Sequence, residues 1–156
     1  DFDRRPVGVL PVLAAVLTGQ FPAFEERGWE PAVRFADEAF TVEADEEALV
    51  RIFENLVSNA LRYGAAAPVI TQEGCRLTFA NAVADPASID PDRLFERFYR
   101  ADTARAQGGA GLGLAVVASL AAALDTTVSA RLDDDELAIT LEFPSDQNHV
   151  WARVEA

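Results

Sequence analysis

The stretch RIFENLVSNALRYG, residues 51–64, decides the reading. It sets Asn55 and Asn59 four residues apart in an otherwise apolar helical pattern and follows them with Arg62 and Tyr63. Four residues is about one helical turn, so the two carboxamides lie one above the other on a single face. With Leu49 at the origin of a wheel turning about 100° per residue, Ile52, Phe53, Leu56, Val57, Ala60 and Tyr63 cover one broad arc. Asn55, Asn59 and Arg62 form a stripe along its edge. Asn is a mediocre helix former because its amide competes with the backbone. Two of them on one seam either satisfy buried backbone groups or serve a ligand.

The chain has 156 residues, half of them apolar, and a formal net charge of −13. That length suits one domain with a real core. The charge argues against a duplex-binding surface or an anionic membrane surface, but a small anionic ligand remains compatible with a few local cations or a metal. All 13 basic residues are Arg, which removes any mechanism that needs Lys, the phosphate-gripping Lys of a P-loop included. The single Cys75 excludes an internal disulfide and reads as packing. The only His is His149, near the end. No apolar run reaches transmembrane length. The chain opens at Asp1 rather than Met, so it is expected to be a piece of a longer protein.

Outward from the central helix, residues 8–27 read as helix, with Pro11 in its first turn and a break or kink at Pro22. Short β-rich runs follow near 32–37 and 40–44. Asp45 is placed to cap a helix over 46–63, with Gly64 at its end. Residues 67–83 read as a hairpin around Glu73-Gly74. Residues 85–111 read as a long loop punctuated by Pro and Gly, of a length that is usually functional. The helix LGLAVVASLAAAL is apolar nearly all round and therefore expected to be buried. TTVSARLDDDELAITLEF reads as a second hairpin with an acidic turn. Residues 1–144 form the expected domain and 145–156 a tail, with Trp151 as a possible anchor. The order predicts a two-layer α/β (α+β) sandwich: one mixed sheet covered by helices on one face. Strands pair mainly with sequence neighbours, so a doubly wound parallel sheet fits poorly.

GGAGLGLAVV places Gly109, Gly111 and Gly113 at alternate positions running into a helix. Such backbone can approach phosphates closely, and the helix start favours an anion. With neither Lys nor G-x-G-x-x-G spacing, it is not a P-loop or a dinucleotide fingerprint. Arg100 and Arg105 flank it and suit phosphate oxygens; Arg97 reads as a solvated charge. Mg²⁺ prefers oxygen ligands and shares its shell with phosphates and water. A neutral amide oxygen can ligate it without adding negative charge beside a polyphosphate. Asn59 is the candidate ligand, and Asn55 either a second ligand or a water-mediated support. Arg62, on the same seam, would face phosphates, and Tyr63 a base or ribose.

Together these segments resemble the ATP-binding catalytic domain of bacterial sensor histidine kinases, within the gyrase, Hsp90, histidine kinase and MutL superfamily. RIFENLVSNALRYG is similar to the N-box, LFERFYRAD to the F-box and GGAGLGLAVV to the glycine-rich G2 box, in the family's order and with a lid-like segment between the last two. The resemblance runs to about Phe143. It implies a Bergerat-type fold, bound Mg-ATP, and γ-phosphoryl transfer to a His on a separate dimerisation hairpin that would precede Asp1. It also implies a response regulator as a further partner, no nucleic acid, and a cytoplasmic location within a membrane-anchored homodimeric parent. The transfer step is assigned to Asn55 and Arg100, the metal to Asn59 and Asn55. Nucleotide contacts are assigned to Asn59, Arg62, Tyr63, Arg105, Gly109, Gly111, Leu112 and Gly113. Phe95 and Phe98 are expected to pack the lid onto the core.

The chain departs from the family at the G1 box. Where an Asp usually meets the adenine amine, spacing places Asn81, and Val83 and Asp85 stand at usual glycine positions. The Asn oxygen can still accept from that amine but without charge assistance. Asn55 stands where the superfamily's ATPases and serine kinases place a general-base Glu, and Glu54 points about 100° away. Two other readings follow from these departures: a nucleotide-free interaction module of the same fold, or a serine kinase or ATPase of the superfamily.

Overall fold

The computed structural model describes residues 3–97 and 114–145. In chain order these form β1 (Arg5–Gly8), α1 (Val9–Gly19), α2 (Phe21–Arg27), β2 (Ala32–Phe35), β3 (Thr41–Ala44), α3 (Glu46–Tyr63), β4 (Val69–Glu73), β5 (Arg76–Ala82), a 3-10 turn (Pro86–Ser88), α4 (Leu114–Ala123), β6 (Thr127–Asp133) and β7 (Glu136–Glu142). The five-stranded sheet has the order β2-β4-β5-β7-β6. β2 runs parallel to β4 and every other pair is antiparallel, so the sheet is mixed, as expected.

The alternation of each strand builds the core face. Ile70, Phe79 and Ile139 share one cross-strand row, and Leu77 and Leu141 share the next. All five are buried. On this face α3 packs against both α1 and α4. α3 buries Leu49, Ile52, Phe53, Leu56, Val57 and Ala60, the arc drawn from the sequence. The opposite face of the sheet carries small polar side chains, among them Thr78 and Thr140, whose hydroxyls lie 3.0 Å apart. On the core side Gln72 is a buried polar side chain that accepts from the Asp37 N–H at 2.9 Å and donates to the Gly74 carbonyl at 2.8 Å. Its burial is compensated at both ends of the amide.

The first helix breaks beside Pro22, as expected: two helices meet at Gln20, because Phe21 and Pro22 open a new helix at the position where proline's missing N–H is tolerated. Two sequence expectations change. RPVG forms a strand: Arg5–Gly8 pairs antiparallel with Thr41–Ala44 in a two-stranded sheet of its own, which also takes β3 out of the main sheet. Pro and Gly hid that strand from propensity, and edge pairing tolerates both. α4 is buried on one side only, through Leu114, Val117 and Ala121, while Val116 is exposed. Gly64 ends α3, as expected, in an extended conformation with φ −77° and ψ 153°.

The hairpin turns follow local chemistry. Glu73 pairs with Arg76, so the β4–β5 turn is Gly74-Cys75, with Gly74 at φ +58°. The acidic turn between β6 and β7 is Asp134-Asp135, with Asp134 at φ +54°, a conformation Asp tolerates better than most residues. Asp45 caps α3 by accepting from the Ala48 N–H at 3.0 Å, and it also accepts from the Asp3 N–H at 2.8 Å. These backbone donors, Asp3 first, hold its carboxyl below the ordinary carboxylate range. A depressed folded-state pKa stabilises the fold above the unfolded-state value, and the contribution is lost as pH falls through the folded-state value. Asp45→Ala should therefore lower stability most at neutral pH, and its deficit should shrink in acid. Denaturation midpoints at pH 7 and pH 3 check this; a deficit that does not depend on pH removes the charge from the cap.

Candidate functional site

The C-terminal half of α3 lies over the end of β5 and the mouth of the β5–β7 pair. A pocket opens there, lined by Asn59 and Tyr63 from α3, Asn81 and Val83 from β5 and its extension, Ile89 from the following loop, and Leu137 of β7. The lining is mostly apolar, with two carboxamides and a phenol as its polar groups. Helical spacing brings Asn59 and Tyr63 to one side, and strand register brings Asn81 to the other.

Asn59 is buried, at 8 % exposure. Among the described residues nothing hydrogen-bonds its side chain. A buried carboxamide without a partner costs stability and calls for an explanation. Asn81 is half-buried and donates through Nδ2 to the Ala82 carbonyl at 3.0 Å. Its Oδ1 keeps its acceptor capacity.

Other expected residues lie elsewhere. Asn55 turns its Nδ2 back to the Arg51 carbonyl, one turn earlier, at 2.7 Å, and does not line the pocket. Arg62 is exposed, its guanidinium 6.0 Å from the centre of the Tyr63 ring, and it too lies outside the lining. Phe95 is half-buried against the core, as expected, and Arg97 is exposed. Arg100, Arg105, Gly109, Gly111, Leu112 and Gly113, together with Phe98, His149 and Trp151, lie outside the described residues. Among the described residues no group of three or more His, Cys, Asp or Glu is arranged around a metal position.

The sequence reading missed some of the site. Ile89 is the one aliphatic side chain in DPASIDPDR longer than alanine, and an isolated apolar residue in a polar loop is a signal that it packs. Arg27 donates to the Leu61 carbonyl in the last turn of α3 and lies 5.2 Å over the Trp29 ring. It supplies one of the partners that a helix C-terminus lacks. Nothing in the sequence pairs Arg27 with a residue 34 positions away.

The family described as histidine kinase-, DNA gyrase B- and HSP90-like ATPase matches residues 44–150. The chain belongs to that family. Named relatives point the same way. The signal transduction histidine-protein kinase BaeS of Escherichia coli K12 is 32% identical over 94% of this chain and 33% of its own length. The sensor protein VanS of Enterococcus faecium is 32% identical over 80% of this chain and 34% of its own. The chain thus spans about a third of the length of these relatives. Among solved structures, the catalytic domain of histidine kinase ThkA superposes with a TM-score of 0.76 over 92% of this chain and 99% of that one, at 16% identity, and shows the shared fold. Full-length ShkA, solved in complex with AMPPNP, gives a TM-score of 0.72 and 30% identity over 92% of this chain and 31% of its own. The fold, a mixed sheet under helices, is the one that the ThkA catalytic domain also has. Among the described residues no helix is long and apolar enough to cross a membrane.

Proposed function

We propose that this domain binds Mg-ATP and donates the γ-phosphoryl group to a histidine on a separate dimerisation hairpin of a longer sensor protein. The observation that carries the reading is the buried carboxamide of Asn59, without a hydrogen-bond partner among the described residues, beside a mostly apolar pocket that also presents Asn81 and Tyr63. An amide oxygen held without an internal partner is suited to a hard cation and adds no charge that would repel a polyphosphate. The residues present therefore fit the group: Asn59 is the ligand, and Asn55 supports metal or phosphate from the turn before. Bound Mg²⁺ would supply positive charge that neutralises the phosphoryl oxygens.

The chain's own groups divide the rest. Asn81 accepts from the base and Tyr63 lies beside the nucleotide. The described pocket lining contains no charged side chain, so it suits the base half of the ligand. Arg62, Arg100 and Arg105, with the backbone of Gly109, Gly111, Leu112 and Gly113, are assigned to the phosphates. Arg100 and Asn55 attend the transferring group. Phosphoryl transfer needs chiefly positioning and charge stabilisation, and an acceptor imidazole already carries a nitrogen nucleophile. Asn55, which cannot take up a proton, sits where a hydrolase would need a base. The response regulator and a membrane-anchored homodimeric parent, with this domain on the cytoplasmic side, belong to the same proposal.

A thermal-shift titration tests it. Mg-ATP at 100 times its Kd should stabilise the chain by about 2.7 kcal/mol. No shift at millimolar Mg-ATP or Mg-ADP favours a nucleotide-free interaction module. The chain alone should hydrolyse ATP negligibly, and Glu54→Gln should change nothing; hydrolysis abolished by that substitution revives the serine kinase or ATPase reading.

A further inference from the structure

Gly64 sits where the end of α3 meets the end of β5. Its torsions are open to any residue, so glycine is not required for its φ. Space requires it. A Cβ at this position would lie 2.3 Å from the Ala60 carbonyl oxygen and 2.5 Å from Nδ2 of Asn81. The first is a backbone atom that cannot swing aside. The junction is also stitched by hydrogen bonds: Gly64 N–H donates to Ala60 at 3.0 Å, Ala65 N–H donates to the Ala82 carbonyl at 2.7 Å, and Gly64 forms an isolated antiparallel bridge with Val83.

The consequence falls on Asn81. A carboxamide can offer a ligand either its oxygen or its NH₂, and the surrounding network decides which. Here the Ala82 carbonyl accepts from both Ala65 N–H and Asn81 Nδ2. Turning the amide over would set Oδ1 against that carbonyl, where no proton is available. Nδ2 is therefore committed to the protein, in the space that the missing Gly64 side chain leaves, and Oδ1 is the polar atom left for a ligand.

The geometry points to Gly64 as the residue that sets base selectivity. By admitting the Asn81 amide nitrogen against the Ala82 carbonyl, it makes a neutral, reversible reader into a fixed acceptor that takes a 6-amino purine over a 6-oxo purine. This rests on the nucleotide-binding reading above. A carboxylate would accept through either oxygen and need no such lock. A carboxamide free to turn would donate to a 6-oxo group as readily as it accepts from an amine.

The test is titration of the full chain with Mg-ATP and with the Mg complex of inosine triphosphate, which differs at the 6 position. The wild type should prefer ATP by about ten- to a hundredfold, the range for leaving a buried acceptor facing another oxygen. Gly64→Ala should bring the two ligands within about threefold of each other. In the Asn81→Asp background the same Gly64→Ala change should lower affinity for both ligands and leave the preference intact, because either carboxylate oxygen accepts. Asn81→Ala, which keeps Gly64 and its backbone bonds, should also remove the preference, so the acceptor role of Asn81 is tested even if the Gly64 variant does not fold. Equal wild-type binding of ATP and inosine triphosphate overturns the inference and leaves the proposed function standing. So does a Gly64→Ala variant that keeps its preference, or one that loses it equally in the Asn81→Asp background. Failure of any nucleotide to bind removes the proposed function, and this inference with it.

Discussion

Replacing Asn59 with Ala should abolish the Mg-ATP thermal shift while leaving the ligand-free domain as stable as before, or more so. The carboxamide is buried and has no partner among the described residues, so in the free protein it costs desolvation and contributes no internal hydrogen bond. Alanine is also the better helix former at this position, inside α3. With ligand the balance reverses. Losing a metal-binding oxygen should reduce metal-dependent nucleotide affinity and phosphoryl transfer by at least about 100-fold, the upper end of what even indirect supports of a metal site contribute. Ligand-free urea denaturation and Mg-ATP titration of the same variant check both halves. A large loss of stability with binding intact would make Asn59 a structural amide and withdraw the metal assignment.

The opposite pattern is expected at Phe53. Its side chain is fully buried in α3, and its ring centre lies 5.9 Å from that of Phe79 on β5, with the planes tilted by 43°. The pair joins the helix layer to the centre of the sheet. Phe53→Ala removes that contact and leaves a cavity that neighbouring backbone cannot collapse to fill, a cost of about 3–5 kcal/mol. Domains of this size melt roughly 2–4 °C lower for each kcal/mol lost, so the melting temperature should fall by about 6–20 °C. The urea midpoint should move with little change in slope. Nucleotide affinity of the fraction still folded should change much less than in Asn59→Ala, since Phe53 does not line the pocket. A loss below about 1 kcal/mol would mean that the α3–sheet contact is looser than this packing implies.

What could be read from the residues was whatever local chemistry controls. The 3.6-residue spacing from Leu49 to Tyr63 fixed the length and buried arc of α3, and Asp45 marked its start. Alternation and turn residues fixed both hairpins. Pro22 marked the break after α1. The strand RPVG was not legible, because it forms only by pairing with residues some 39 positions away, as Arg5 does with Ala44. Asn59, Tyr63 and Asn81 were all named from sequence. That they share a pocket was not visible there, since 22 residues and a hairpin turn separate Asn59 from Asn81.

The sequence by itself determined most of the elements and the family, because helical periodicity, strand alternation, caps and motif spacing are short-range properties of the chain. Only the tertiary structure decided which polar atoms remain available. Asn55 satisfies its amide nitrogen within its own helix, Asn59 is buried with none among the described residues, and Asn81 has its nitrogen committed to Ala82 beside a glycine whose role is space rather than torsion. Hydrogen-bond satisfaction depends on what the folded neighbours have already claimed, and those neighbours come from distant parts of the chain.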